Sequence, residues 1–344
     1  MSHKVVSFGE IMLRLATPGY QRFNQASEFT ATYGGGEANV AVSLANYGIQ
    51  SEFVTRLPKN DIGRTCAMEL RKYGVGIDQI VYGGDRLGIY FLETGASQRP
   101  SKVIYDRADS VISKVKSNDF NWKEIFAGKN WFHWTGITPA ISENARVVLL
   151  EALQAAKEMN LTVSCDLNFR KKMWTEKEAQ TTMIPLMEYV DYCIANEEDA
   201  EKCLGFVPEN TSIEDAELNI DAYEQLAKQL KEKFEFKGVA ITLRESHSAS
   251  RNGWSAMFLD ENECIEPYRS KIYDINLVDR VGGGDSFAGG LIYGLLSLAN
   301  SKEALEYAVA ASCLKQTIPG DFNLVTKEEV EKLAKGSGSG RVER

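Results

Sequence analysis

Between residues 130 and 243 the chain alternates short apolar runs with amphipathic stretches, and no other feature limits its fold so strongly. Strands are expected near 130–134, 161–167, 189–195 and 238–243, with helices near 143–158, 176–187 and 219–232 between them. Strands joined through helices pair in parallel, because a parallel neighbour is reached only by a long crossover, and the helices then cover both sheet faces. The predicted class is α/β, a three-layer α/β/α arrangement with a mostly parallel central sheet. KVVSF at 4–8 and the run 53–57 add strands to it, and 61–73, 302–315 and 326–334 add helices. Residues 11–33 and the hairpin 87–106, folded about the turn-rich 95–100, contain no helical pattern and are expected to form a small separate sheet. A polar acidic loop is expected at 210–219. Gly336–Gly340 offers no core-forming side chain, so the expectation is one domain over 1–335 and a flexible tail at 336–344.

Composition narrows the function more than the fold. With 344 residues, 44% apolar and 25% charged, the chain is an ordinary globular protein. Its net charge of -9 opposes nucleic acid or an anionic membrane as partners, so an anionic substrate must meet a few local cations. No apolar run approaches the roughly 20 residues of a membrane span, and MSHKVVSFGE lacks a signal peptide's apolar segment, so a cytoplasmic protein is expected. Six scattered cysteines form no C-x-x-C pair, which argues against a zinc site, and His133 is expected to be a half-buried strand residue.

Two glycine turns each feed a helix. Gly282, Gly283 and Gly284 precede a helix expected to begin near Asp285, with Phe287, Leu291, Leu295 and Leu298 on one face. The N–H groups and positive dipole at such a helix end would hold an anion, and a phosphate that gains charge during transfer is the expected one. Asp285 at that point could take a proton from an attacking hydroxyl; the simpler alternative is a first-turn acid of ordinary kind. The second turn, Gly34–Gly36 followed by Glu37 and Asn39, precedes a helix marked by Val40, Leu44 and Tyr47 and closed by Gly48. Ligands of parallel sheets bind at the carboxyl ends of the strands, which points to Asn168 and Arg170, to Asn196–Asp199, and to Thr242 with Arg244. Each has a plainer reading, as a helix cap or a solvated arginine.

DRVGGGD, 279–285, resembles the carboxy-terminal D-T-x-G-A-G-D signature of the PfkB, or ribokinase-like, sugar kinases, with Arg280 in place of Thr. GGGEAN, 34–39, resembles the amino-terminal G-G-x-x-x-N stretch of the same family, and the two stand in the family's order. GGGEANVAVSLANYG, RLGIYFLETG, VIYDRADS, DLNFRKK and GGGDSF together resemble its 2-keto-3-deoxygluconate kinase branch. The resemblance implies a ribokinase-like fold with a β lid over the sugar, a lid that often serves as a dimer contact. It implies ATP-dependent phosphorylation of a sugar acid's terminal primary hydroxyl, with Mg2+, and leaves open whether a monovalent cation activates the enzyme. Asp285 would be the base and Gly282, Gly283 and Gly284 the anion hole. The sugar acid would lie against Gly34, Gly35, Asn39, Tyr90, Tyr105, Arg107, Asn168 and Arg170. ATP would meet Asn196, Thr242, Arg244, Gly282 and Gly284. The family's N-x-x-E motif, which holds the metal's waters, here reads Asn196-Glu197-Glu198-Asp199, so the acid is either Glu198 or Asp199. Arg244 replaces the Gly of T-x-G and either reaches a phosphate or fills space.

A neutral-sugar kinase of the fructokinase or ribokinase type is the alternative within the family. A dehydrogenase is disfavoured because Phe287 and Asn39 break G-x-G-x-x-G in the two turns, and no Walker motif occurs.

Overall fold

The computed structural model describes residues 3–207, 220–260 and 266–338; the expected loop at 210–219 and the end of the expected tail, 339–344, lie outside the described residues. The chain opens with β1 (Lys4–Phe8), then β2 (Met12–Ala16) and β3 (Thr30–Gly34), which runs into α1 (Gly36–Asn46). There follow β4 (Gln50–Val54), β5 (Arg56–Leu57), α2 (Asp61–Lys72), β6 (Val81–Tyr82), β7 (Ile89–Glu93) and β8 (Lys102–Asp106). The alternating part comprises α3 (Trp122–Ile125), β9 (Trp131–Thr135), α4 (Ile137–Ile141), α5 (Glu143–Glu158), β10 (Thr162–Asp166), α6 (Glu176–Leu186), β11 (Tyr192–Ala195), α7 (Glu197–Leu204), α8 (Ile220–Phe234) and β12 (Gly238–Ser246). The chain ends with β13 (Arg251–Asp260), β14 (Tyr268–Arg269), β15 (Tyr273–Asn276), α9 (Gly283–Ser297), α10 (Ser301–Lys315) and α11 (Lys327–Ala334).

Among the described residues the main sheet has nine strands in the order β14-β13-β12-β11-β10-β9-β1-β4, with β15 also on β13. From β4 to β12 every pairing is parallel, as the helical crossovers require. Strand side chains alternate between two cores. Val6, Phe8, Phe132, Trp134, Val163, Cys165, Val239 and Ile241 meet α5, α6, α7 and α8, while Val5, Trp131, Ile194 and Ala240 meet α1, α9, α10 and α11. A separate four-stranded sheet, β3-β2-β7-β8, stands beside the main one and matches the expected small sheet.

Several expectations shift. β13 pairs antiparallel to β12 and extends the sheet beyond its parallel part; RNGWSAMFLD is buried on both faces, so it carries none of the alternation that marks a strand. Helix α1 begins at Gly36, a turn before Val40, because Glu37 and Asn39, polar in sequence, are buried there. The run 53–57 splits, since Thr55 turns its hydroxyl to the Gly9 carbonyl, 2.7 Å away, between β4 and β5. Helix α9 begins at Gly283, which makes Asp285 its third residue. His133 is fully buried rather than half-buried; Ser164 Oγ lies 2.8 Å from its Nδ1, and burial pulls its pKa down to about 3, so it stays neutral.

Candidate active site

The carboxyl ends of β10, β11 and β12, the two glycine turns and the inner face of the small sheet enclose one cleft of about 400 Å³. Gly34, Gly35 and Asn39 line it from the first turn, and Gly282, Gly283, Gly284 and Asp285 from the second. Tyr90, Tyr105 and Arg107 line it from β7, β8 and the residue after β8, and Asn168, Arg170, Asn196, Asp199, Thr242 and Arg244 from the strand ends. Glu198 is not brought in: it is exposed and does not line the cleft.

The second turn is shaped for an anion. Gly282 caps α9 with φ of 80°, a left-handed conformation, and a Cβ there would stand 2.1 Å from the Asp321 carbonyl oxygen. Two residues on, a Cβ at Gly284 would meet nothing within 4 Å, so the space before the helix end is an open cradle. Asp285 sits half-buried at its edge. Asn39 donates its Nδ2 to Asp285 Oδ2 at 2.6 Å and accepts the Gly35 N–H at 3.3 Å, which joins the two glycine turns through one amide. Burial pushes the Asp285 carboxyl up to about 6, against the Asn39 hydrogen bond and the charge of Arg170. A carboxyl with a pKa this close to neutrality has the basicity a proton acceptor needs.

The arginines of the cleft differ in their engagement. Arg107 pairs with Glu10 on the cleft wall, and Glu10 also accepts from Ser110 Oγ at 2.8 Å. The carboxylates near Arg107 in the chain are engaged elsewhere, Asp106 with Arg86 and Asp109 with Lys114. Arg107 lies 5.6 Å from the Tyr105 ring centroid, and the Tyr105 and Tyr90 centroids are 6.1 Å apart. Arg170 is exposed; it donates to the Phe169 carbonyl at 2.9 Å and forms no ion pair among the described residues. On the opposite side Arg280 and Arg244 also lack ion pairs among the described residues, and burial and then Arg244's charge pull the Arg280 guanidinium down. Two like charges facing one cleft suit a polyanion.

The cleft floor is acidic. Burial, followed by the charges of Asp199 and Asp285, pushes the Asp166 carboxyl well above the ordinary range. Asn196 caps α7 by accepting the Asp199 N–H at 2.8 Å, so its capping geometry is present, and Asp199 Oδ1 accepts the Phe169 N–H at 2.8 Å. A buried carboxyl raised by neighbouring carboxylates fits a divalent cation held through water, and oxygen donors are what Mg2+ takes.

Arg14, Asp321, Asp279 and Glu37 are among the residues of this region that the sequence did not single out. Arg14 on β2 donates Nη2 to Asp279 at 2.5 Å and Nη1 to Asp321 at 2.7 Å, all three side chains being under 10% exposed. Tyr90 donates its hydroxyl to the other oxygen of Asp321 at 2.5 Å. This cluster ties two strands of the small sheet to the segment before the anion hole. Glu37, beneath the first turn, accepts from the Thr135 N–H and from the Thr135 and Thr138 hydroxyls; burial pushes it up to about 7. Glu37 and Asp279 stood in motifs already quoted, whereas nothing local marked Arg14 or Asp321.

The known proteins similar to this chain are carbohydrate kinases. The family model for pfkB family carbohydrate kinases matches residues 2–326. The chain is 33% identical over 342 residues to a 2-dehydro-3-deoxygalactonokinase of Haloferax volcanii, covering 99% of each chain. It is 26% identical to a 2-dehydro-3-deoxygluconokinase of Bacillus subtilis over 96% of this chain and 95% of that one. The crystal structure of a 2-dehydro-3-deoxygluconokinase from Thermotoga maritima superposes with a TM-score of 0.92 at 54% identity, covering 98% of this chain and 99% of that one. The chain therefore belongs to the pfkB family of carbohydrate kinases.

Proposed function

We propose that the protein is a cytoplasmic kinase that transfers the γ-phosphoryl group of ATP to the terminal primary hydroxyl of 2-keto-3-deoxygluconate, giving the 6-phosphate. The observation that carries the choice of an acid is Arg170: a guanidinium without a carboxylate partner among the described residues, in the same cleft as Asp285, in a chain of net charge -9. A forked guanidinium suits a planar carboxylate, and the names of the relatives point to the same substrate class.

The sugar acid lies with its carboxylate toward Arg170 and Arg107 and its terminal hydroxyl at Asp285 Oδ. Asp285 takes the hydroxyl proton as the oxygen attacks the γ-phosphorus; the bond to the β–γ bridging oxygen breaks, and ADP leaves with that oxygen. The N–H groups at the start of α9 meet the charge that grows on the transferring phosphoryl oxygens, and Gly284 leaves room for them. Arg244 and Arg280 hold the nucleotide phosphates. Mg2+, when bound, neutralises the phosphate charge; Asp166 and Asp199 would hold its waters, with Asn196 beside them.

An ADP-release assay over 2-keto-3-deoxygluconate, its galacto epimer, fructose and ribose tests the substrate. Arg170→Lys keeps the charge but loses the fork. It is expected to raise KM for the sugar acid by roughly 10-fold or more, leaving KM for ATP little changed. Fructose as the best substrate, or an unchanged KM for the acid in the variant, would overturn the keto-acid assignment and leave the kinase in place.

A further inference from the structure

Lys315 ends α10 with its side chain fully buried, outside the cleft lining and behind the anion-hole turn. Its ammonium donates to the main-chain carbonyls of Asp279, at 3.2 Å, and of Val281. Cε lies 3.3 Å from the point a Cβ on Gly282 would occupy, so the side chain also packs under that residue. The same end of α10 holds the turn from both sides. Ser312 Oγ donates to the Gly283 carbonyl at 2.7 Å, and the Gln316 carbonyl accepts the N–H groups of Val278 and Asp279 at 2.9 and 3.1 Å.

Converging main-chain carbonyls are the ligands an alkali cation takes. Here the point of convergence is already filled by a covalently attached cation. The Asp279 carboxylate is engaged as well: Oδ2 accepts from Arg14 and from the Gly320 N–H at 3.0 Å, and Oδ1 from the Val281 N–H at 3.1 Å. Two cations, Arg14 and Lys315, balance two carboxylates, Asp279 and Asp321. Burial lowers the Lys315 pKa, while Asp279 and Asp321 oppose it. An exogenous monovalent cation does not fit at this position.

We propose that Lys315 is the built-in cation of the anion hole: its ammonium, bound to the Asp279 and Val281 carbonyls, fixes the turn that aims the Gly282–Asp285 N–H groups and replaces an exogenous monovalent cation there. This rests on the anion-hole reading of 282–285. Lys315 touches neither substrate nor phosphate, so it is a positioning residue. Its loss misplaces the donors that meet charge in the transition state and spares the sugar's ground-state contacts.

The test has two arms. Wild-type enzyme is assayed with ATP as its tetramethylammonium salt and MgCl2, with and without KCl, sodium chloride replaced throughout. Equal turnover is expected, and marked activation by K+ would overturn the proposal whatever any variant does. Lys315→Met is expected to lower kcat by roughly 100-fold with KM for the sugar acid unchanged. Lys315→Ala is expected to regain turnover on adding ammonium or methylammonium chloride, which a residue that only fills space would not show. A folded Lys315→Met with wild-type kcat would also overturn it. Should Asp285→Asn lose activity while Lys315→Met keeps it, the anion hole and its base stand and only the role of Lys315 falls.

Discussion

Replacing Asp285 with Asn is expected to lower turnover by roughly 100-fold or more while leaving the affinity for the sugar acid near its wild-type value. The amide keeps the shape and can still accept the Asn39 hydrogen bond, but it cannot take a proton. The pH dependence carries the same signature. The carboxyl, pushed up to about 6 chiefly by burial, must be ionised to act, so kcat/KM of the wild type should fall as pH drops through that value and level off above it. The sign for stability is opposite. A folded-state pKa above the unfolded value means the folded protein binds the extra proton, so stability is lost as pH rises from about 4 to 6. At pH 7 the ionised group opposes folding by up to about 3 kcal/mol, and Asp285→Asn should melt higher than the wild type there. Near-normal turnover in the variant would remove Asp285 from the chemistry.

The largest effect on stability is expected from Arg14→Met. The guanidinium is buried between Asp279 and Asp321, and its removal leaves two buried carboxylates without their guanidinium partner. Breaking a buried pair of this kind costs roughly 3–5 kcal/mol, because the partner left behind keeps its desolvation penalty. Urea denaturation at pH 7 would read it directly. The deficit should shrink as the pH is lowered, since protonation relieves the stranded carboxylates. A loss below about 1 kcal/mol would mean that the cluster is well hydrated and the connection from the small sheet to the anion-hole segment is weak.

What could be read from the chain was what local pattern writes down. The parallel half of the sheet was legible because each strand and helix carries its own periodicity, and both glycine turns because the turn, the acid and the helix lie within a few residues of one another. The Arg14 cluster was not legible. Arg14 is the one charged residue of MLRLA, and local pattern assigns such a residue to solvent, yet its face of the strand is roofed by segments 265 and 307 residues away. Lys315 misleads in the same way. A lysine in the last turn of a helix ordinarily complements the dipole from the surface, and only the fold shows that it is buried against the turn before α9. That α7 turns Glu198 away from the cleft and Asp199 into its lining was likewise not legible in the sequence.

Proton-coupled phosphorus NMR of the product made from 2-keto-3-deoxygluconate and ATP tests the proposed reaction most directly. Transfer to the terminal hydroxyl gives a phosphomonoester resonance split into a triplet by the two protons of its methylene carbon, together with stoichiometric ADP. A doublet would place the phosphate on a secondary hydroxyl. Inorganic phosphate as the sole product would mean that water, not the sugar acid, receives the phosphoryl group. Either result would contradict the geometry assigned to Asp285.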